Sequence, residues 1–290
     1  MGLNGESIGH QHSGGYARFV ILGHARTGST LLAQALNSHP RIMCFGEVFN
    51  WVHHYVDFAL GGYDNSNPDD LKLRNTDPIS FLQERIYCQP PGMTSAVGFK
   101  LHYVHCSPPW GFPTLLDYFV QDKNIRIIHL KRRNMLRSLA SEKIAAVTGD
   151  YSRIRLVTRL RSIPKAFVHP ARAFKRAKTL VAQNVRRDRG PRRVALSVEE
   201  CRAYFEETKS AVKQHDELFR EHDNLSLFYE EILSSRDEAF ARAQSFLGVE
   251  PQVLTVGLGK QNPDDLRALI ENYDELREAF AGTEYSQFFL

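Results

Sequence analysis

A polar loop at residues 23–30 carries the residue types best suited to binding an anion. Its arginine, Arg26, stands between two glycines, Gly23 and Gly28. Its hydroxyl side chains are those of Thr27, Ser29 and Thr30. The apolar run 19–22 precedes the loop, and an apolar helical pattern follows it. A strand, a glycine loop and a helix in this order present backbone N–H groups and a helix N-terminus to an anion, so the stretch predicts a phosphate-type site.

The loop departs from the nucleotide triphosphate pattern at one position. In G-x-x-x-x-G-K-[ST] the glycines and the final hydroxyl match Gly23, Gly28 and Thr30, but Ser29 replaces the lysine. Because that lysine contacts the β- and γ-phosphates, a loop without it favours a phosphate other than the terminal phosphate of ATP. Arg26 offers a cation from inside the loop instead. The plainer alternative is a strand–helix turn whose hydroxyls only cap the helix.

A second candidate anion site follows the predicted strand 125–130. Arg133 comes just after this strand, and Ser141 stands eight residues later in a predicted helix. An arginine at a strand end grips a phosphate with paired N–H donors, and a serine two helical turns later adds a hydroxyl. The alternative is an arginine that ends a strand and an unrelated serine within a helix.

Taken together, Arg-Thr-Gly-Ser-Thr-Leu-Leu from residue 26 and the later arginine–serine pair resemble the donor site of sulfotransferases. These enzymes use 3′-phosphoadenosine-5′-phosphosulfate (PAPS) and release 3′,5′-bisphosphoadenosine (PAP). The resemblance implies a 5′-phosphosulfate loop followed by a 3′-phosphate signature. The residues that it assigns to the donor are Arg26, Thr27, Gly28, Ser29, Thr30, Arg133 and Ser141.

Two residues are candidates for the catalytic base. Glu47 follows the predicted strand 42–45, where carbohydrate- and tyrosine-modifying sulfotransferases carry a similar Gly-Glu pair. His102 closes the run Phe-Lys-Leu-His at 99–102, which resembles the Phe-Lys-x-His run of cytosolic sulfotransferases. Because side chains alternate along a strand, Lys100 and His102 are expected on one face. We expect Glu47 to be the base, which typically contributes about 10²–10⁴-fold, and His102 to be a further site residue. A solvated surface glutamate is the alternative.

No metal site is predicted. His102 and His105 are close in sequence, but no carboxylate or cysteine stands at a matching spacing. A transferred sulfonate group also carries less charge than a phosphoryl group, so a metal is not required to offset it.

The C-terminal part of the chain extends the resemblance. The segment 262–284 resembles the C-terminus of bacterial polysaccharide and nodulation-factor sulfotransferases, which implies a glycan or glycolipid as the hydroxyl-bearing acceptor. In many members of the family a late basic loop closes over the 3′-phosphate, and Lys260 is the candidate for that contact. The resemblance covers residues 17–149 and about 193–290.

The segment 151–193 is a strongly basic insertion. It holds fourteen basic residues between Arg153 and Arg193 and a single acid, Asp188, within a chain of net charge +4. A basic surface insertion is the simplest interpretation. An anionic acceptor or an anionic membrane surface are alternatives, and we expect no specific nucleic acid partner.

The predicted fold class is α/β, a P-loop-like parallel sheet with helices on both faces, because strands alternate with helices. Predicted strands lie at 19–22, 42–45, 97–103, 125–130, 193–196 and 225–229, with long helices at 197–221 and 236–247. The stretch 50–95 is expected to be irregular, with a short helix as a candidate at 81–86. We expect a flexible tail at 1–16 and a single domain at 17–290. Four scattered cysteines and the absence of a long apolar run favour a cytoplasmic protein, peripheral to a membrane at most.

The predicted function is transfer of a sulfonate group from PAPS to a hydroxyl group. A small-molecule kinase is the alternative within the same fold, and the missing loop lysine argues against it. The alternative from another class is a non-catalytic protein that binds nucleotides or nucleic acid through the basic segment.

Overall fold

The centre of the computed structural model is a five-stranded parallel β-sheet. The structure describes residues 15–65, 67–88, 90, 92–109, 111–148, 193–256 and 265–290. The strands are β1 (Ala17–Gly23), β2 (Ile42–Phe45), β3 (Ala96–His102), β4 (Ile125–Lys131) and β5 (Asn224–Phe228). Their order across the sheet is β2-β3-β1-β4-β5, so the strand that leads into the glycine loop lies in the middle.

Alternate residues of the central strand serve opposite faces of the sheet. Val20 and Leu22 belong to one apolar cluster, and Phe19 and Ile21 belong to another. All four side chains are buried, as the near-continuous apolar run predicts for a parallel strand covered on both sides. The α/β class with helices on both faces is therefore confirmed.

The helices are α1 (Ser29–Leu36), α2 (Pro68–Thr76), α3 (Pro78–Phe81), α4 (Pro113–Gln121), α5 (Met135–Thr148), α6 (Val198–Leu218), α7 (Tyr229–Ser234), α8 (Arg236–Phe246) and α9 (Tyr273–Ala279). Helices α3 and α4 pack on the Val20 face, and α1 and α8 pack on the Phe19 face. A third cluster joins α5, α6 and α9 to the C-terminal residues. No helix within the described ranges combines the length and the apolar character needed to cross a bilayer.

Two parts of the predicted secondary structure are wrong. The stretch 50–95 is more helical than predicted, because α2 and α3 lie within it, whereas the candidate short helix at 81–86 agrees with the helical residues Leu82–Ile86. Helices α2 and α3 each begin at a proline after a capping residue: Asn67 accepts the N–H of Asp69, and Asp77 accepts the N–H of Ser80. The predicted strand 193–196 is only a single bridge between Val194 and Ile270. The segment does not extend the sheet, since it pairs with the C-terminal region.

Several predicted features lie outside the described residues. Lys260 is among them, as are residues 1–14 of the expected tail and residues 151–192 of the basic insertion. They remain predictions.

Candidate active site

The sheet brings the ends of its three central strands to one edge. Gly23, the last residue of β1, pairs with His102, the last residue of β3. On the other side of β1, Leu22 pairs with His129 near the end of β4. Because parallel strands end at the same edge, the loops that follow them form one crevice, which is where ligands bind in such sheets.

The donor loop, residues 23–30, has an unusual backbone. Arg26 has a φ of 64° and Gly28 a φ of 88°, both in the left-handed region. For the non-glycine Arg26 this conformation is strained, and such strain concentrates at functional sites. A Cβ at Gly28 would lie 2.4 Å from the ring of Tyr229, so only glycine fits there. Turns of this kind direct successive N–H groups into one concavity, which suits an anion.

The side chain of Arg26 is held across the crevice. Its Nε donates to Ser141 Oγ of α5 at 3.0 Å, so the loop arginine and the candidate 3′-phosphate serine are in direct contact. Arg132 Nη1 donates to the Arg26 carbonyl at 2.8 Å and fixes the strained residue from the end of β4. The Arg132 guanidinium also lies over the ring of Tyr229, and burial lowers its pKa to about 10.

The carboxylate of Glu47 lies beside this loop. Lys100 Nζ donates to Glu47 Oε1 at 2.8 Å and to Thr30 Oγ1 at 2.8 Å, which links β3, the second residue after β2 and the first turn of α1. Asn50 Nδ2 donates to the second oxygen, Glu47 Oε2, at 2.9 Å. The Lys100 side chain is 4% exposed and that of Glu47 is 21% exposed, so the ion pair is largely shielded from water. A lysine that the loop itself lacks is thus supplied by the neighbouring strand.

Burial by itself would raise the pKa of the Glu47 carboxyl. The ammonium of Lys100 outweighs that effect, and the pKa lies well below its usual range. Glu47 is therefore ionised at neutral pH and is able to accept a proton.

His102 and His105 complete the surroundings of Glu47. Burial lowers the pKa of His102 to about 4 and that of His105 well below its usual value, so both rings are neutral at pH 7. His102 Nε2 lies 3.3 Å from Ser29 Oγ, and its Nδ1 lies 3.8 Å from Glu47 Oε2. As the alternation along β3 predicts, Lys100 and His102 reach the donor loop from one face.

The three side chains also form a group that sequence spacing does not reveal. Ligand atoms of Glu47, His102 and His105 lie within 4.8 Å of one another. His105 Nδ1, however, accepts the N–H of His102 at 3.2 Å, so the proton of the neutral ring is on Nε2, which faces Glu47. Because Lys100 also holds the carboxylate, the group is better suited to positioning Glu47 than to binding a divalent cation.

Arg133 lies after β4 but is engaged elsewhere. Its Nη2 forms an ion pair with Glu231 Oε1 at 2.7 Å, and its guanidinium stacks 4.0 Å from the centre of the Phe228 ring. Its side chain is 53% exposed. The contact of Arg133 with a 3′-phosphate remains a prediction.

A chain of polar groups that runs from buried Tyr103 and His129 to partly exposed Asp216 lies next to the donor loop. Tyr103 contacts His129 Nε2 at 2.5 Å, and His129 Nδ1 lies 2.8 Å from Asp216 Oδ1. Lys131 Nζ bonds the same carboxylate at 2.7 Å. Tyr103 also meets the His24 ring of the loop edge-on. The chain ties β3, β4 and α6 together behind the loop.

Sequence reasoning had not included Lys100, Arg132 or His105 among the site residues. The Phe-Lys-x-His resemblance is a signal for Lys100. The spacing of eight residues between an arginine and a serine selects Arg133, and it gives no signal for Arg132. For His105 the only signal was its spacing from His102.

Comparisons with known proteins agree with this geometry. The model of the sulfotransferase family matches residues 18–100, which span β1, the donor loop, Glu47 and Lys100. Nodulation protein H of Rhizobium tropici is 28% identical over 276 residues, covering 93% of this chain and 92% of that protein. Nodulation protein H of Rhizobium meliloti is 25% identical over 279 residues, covering 93% and 94%.

Among solved structures, a sulfotransferase from Alicyclobacillus acidocaldarius aligns over 91% of both chains with 16% identity and a TM-score of 0.43. The chain is thus similar to the sulfotransferase family over residues 18–100 and to the two rhizobial proteins over 93% of its length.

Proposed function

We propose that this enzyme transfers the sulfonate group of PAPS to a hydroxyl of a carbohydrate or glycolipid and releases PAP. The observation that carries the proposal is the contact of Lys100 with both Glu47 and Thr30. It joins a candidate base, a buried cation and a hydroxyl of the donor loop within two hydrogen bonds.

The residues present fit a donor of this kind. The left-handed backbone at Arg26 and Gly28 suits a concavity for the 5′-phosphosulfate. In the structure the hydroxyl of Thr27 donates to the His24 carbonyl, and that of Thr30 accepts from Lys100. Arg132 Nε is buried and has no hydrogen-bond partner among the described residues. A buried donor without a partner is costly, and an anion in the crevice would satisfy it. Ser141, with Arg133 and Lys260, would hold the 3′-phosphate.

PAPS supplies an activated sulfonate group and a phosphate leaving group. Glu47 takes the proton of the acceptor hydroxyl as the new S–O bond forms. Arg26 and Lys100 provide fixed positive charge at the loop, where negative charge develops on the leaving phosphate. If Lys100 turns toward that charge, its hold on Glu47 weakens, and the carboxylate becomes a stronger base as the proton arrives. His102 and His105 remain neutral and keep the carboxylate in place.

The acceptor class rests on similarity. The C-terminal segment resembles that of bacterial polysaccharide and nodulation-factor sulfotransferases, and the curated relatives are Nodulation protein H of two Rhizobium species. A sugar hydroxyl is only weakly acidic, so sulfonate transfer to it needs a base such as Glu47 to take its proton.

The experiment that tests the donor is a thermal-shift titration with PAP, AMP and ATP. PAP at a hundredfold excess over its Kd should stabilise the fold by about 2.7 kcal/mol, and AMP at equal concentration should do much less. An equal shift with AMP would exclude a 3′-phosphate site.

Transfer itself is measured with PAPS labelled in its sulfonate group and a set of oligosaccharide acceptors. Appearance of the label in an oligosaccharide supports the proposal. Magnesium-dependent turnover of ATP instead would identify a kinase, and tight binding of PAP without any transfer would identify a non-catalytic nucleotide-binding protein.

A further inference from the structure

Aromatic side chains lie exposed directly after the candidate base. In the segment Trp51–Tyr55, whose sequence is Trp-Val-His-His-Tyr, Trp51 is 36% exposed, Val52 59% and Tyr55 41%. The rings of His53 and Tyr55 stack in parallel with their centres 4.8 Å apart. Large apolar groups that are exposed together on a surface mark a binding site more often than single ones do.

A buried arginine holds this segment from beneath. Arg74 of α2 is 1% exposed, and its guanidinium also lies over the ring of Phe112. It donates hydrogen bonds to four backbone carbonyls of the preceding segment, those of Val48, Asn50, His53 and Tyr55. Its remaining donors bond the side chain of Asn75.

Burying this guanidinium costs free energy, and the hydrogen bonds that offset this cost indicate a structural role. Burial lowers the pKa of Arg74 to about 10, and the partners recorded for its N–H groups are carbonyl and amide oxygens. Removing a charge from water is unfavourable unless its hydrogen bonds are satisfied, as they are here. What the arrangement gains is a fixed conformation for a segment that belongs to no helix or strand. Rigid aromatic groups lose little entropy when they bind a ligand.

The segment is also joined to the base. Asn50 N–H donates to the Glu47 carbonyl at 3.0 Å, and His53 N–H donates to the Asn50 carbonyl at 3.2 Å, which makes two consecutive turns. The Cα atoms of the first and last residues of such a turn lie within about 7 Å of each other, so Trp51, which comes next after Asn50, lies near Glu47. Asn50 Nδ2 meanwhile bonds the Glu47 carboxylate itself.

We propose that the segment Trp51–Tyr55, held by Arg74, is the acceptor platform, and that it binds a pyranose ring with one hydroxyl directed to Glu47. The apolar C–H face of such a ring packs on Trp51 or Tyr55, and His53 and His54 offer polar groups to its hydroxyl edge. This inference rests on the proposed function, because it names the site that presents the acceptor to the base.

The direct test uses the fluorescence of Trp51. The chain has two tryptophans, and Trp110→Phe leaves Trp51 as the only one. This variant, saturated with PAP, is titrated with trisaccharides of β-1,4-linked glucose, β-1,4-linked N-acetylglucosamine and α-1,4-linked glucose. Sorbitol, which has hydroxyls but no ring, is the control ligand. We expect a saturable change in emission with at least one trisaccharide and none with sorbitol. No change with any trisaccharide, or the same change with sorbitol, overturns the platform.

Kinetics supply a second readout. Trp51→Ala should raise KM for the responding trisaccharide about tenfold, the equivalent of one aromatic packing contact, and leave PAP affinity unchanged. Tyr63→Ala removes another exposed ring, 44% exposed, outside the segment and should leave KM as it is. An unchanged KM in Trp51→Ala overturns the platform while the sulfotransferase proposal stands. Absence of PAP binding in the unmodified enzyme contradicts the donor proposal, whatever Trp51 does.

Discussion

Arg26 Nε donates a hydrogen bond to Ser141 Oγ at 3.0 Å, although 115 positions separate the two residues. The contact joins the loop after β1 to the helix after β4. It brings together one residue from each end of the proposed donor site, so a ligand that binds both phosphates can contact both residues.

The strain at Arg26 can be separated from its charge. Arg26→Gly relaxes the left-handed backbone, so we expect a fold at least as stable as the unmodified protein. Arg26→Ala keeps the strain and should be less stable than Arg26→Gly by about 1–2 kcal/mol. Both lose a charged hydrogen-bond donor, and PAP affinity should fall about ten- to a hundredfold. Urea unfolding and calorimetric titration with PAP measure the two effects. Unchanged PAP affinity in both variants would remove Arg26 from the donor site.

Glu47→Gln should abolish sulfonate transfer. The amide cannot accept a proton, so we expect kcat to fall about 10²–10⁴-fold, with PAP binding retained. The measurement is label transfer at saturating PAPS. The matched control is Glu278→Gln, an exposed change on α9, which should keep full activity. Retained turnover in Glu47→Gln, with loss of turnover in a His102→Asn variant, would assign the base to His102.

Lys100→Met should leave Glu47 as a mostly buried carboxylate without its cation. We expect a loss of up to about 3 kcal/mol at pH 8, since the remaining 21% exposure of Glu47 allows some solvation. Lys100→Met combined with Glu47→Gln should regain part of that stability, because the stranded charge is gone. Urea unfolding of both variants tests the coupling. If the double variant is no more stable than Lys100→Met alone, the ion pair is not the cause of the loss.

Stability should depend on pH through the buried histidines. Burial lowers the pKa of His102 and of His129 to about 4 each, whereas the unfolded chain titrates near 6.5. Between these values the unfolded state binds protons that the native state does not. The free energy of unfolding therefore falls as the pH drops from about 6.5 to 4, with a slope of up to about 1.4 kcal/mol per pH unit for each histidine. Urea unfolding across this range measures the slope.

His129→Gln provides the control for this slope. Whatever its overall stability, it should show a shallower pH dependence than the unmodified protein, because one depressed group is gone. A flat stability profile between pH 4 and 6.5 would contradict the assignment of neutral buried rings.

The strands were predictable because their composition leaves little choice. The runs at 19–22, 42–45 and 125–130 are largely buried, and these three and the run at 225–229 each appear as a strand within two residues of the predicted bounds. Helix α2 was missed because its composition is polar and lacks apolar periodicity, and only the end of α3 was predicted, although the Asn-Pro and Asp-Pro pairs at their starts are readable start signals.

The side-chain partners at the site were much harder to predict. That Lys100 reaches both Glu47 and Thr30 depends on β3 lying between β2 and β1, and strand order follows from packing of the whole sheet rather than from any local motif. The proximity of Glu47 to His105 likewise depends on β2 and β3 being neighbours in the sheet. The sequence placed these residues at strand ends but contained no signal for which ends are neighbours.

The order of the strands also has a consequence for how such enzymes diversify. The residues proposed to hold the nucleotide follow the inner strands β1 and β4, whereas Glu47 and the aromatic segment follow β2, at the margin of the sheet. The exposed segment Trp51–Tyr55 can therefore be exchanged for that of a relative with little disturbance to the proposed nucleotide site. A chimera of this kind should take on the sugar preference of the relative that supplies the segment and keep its own affinity for PAP.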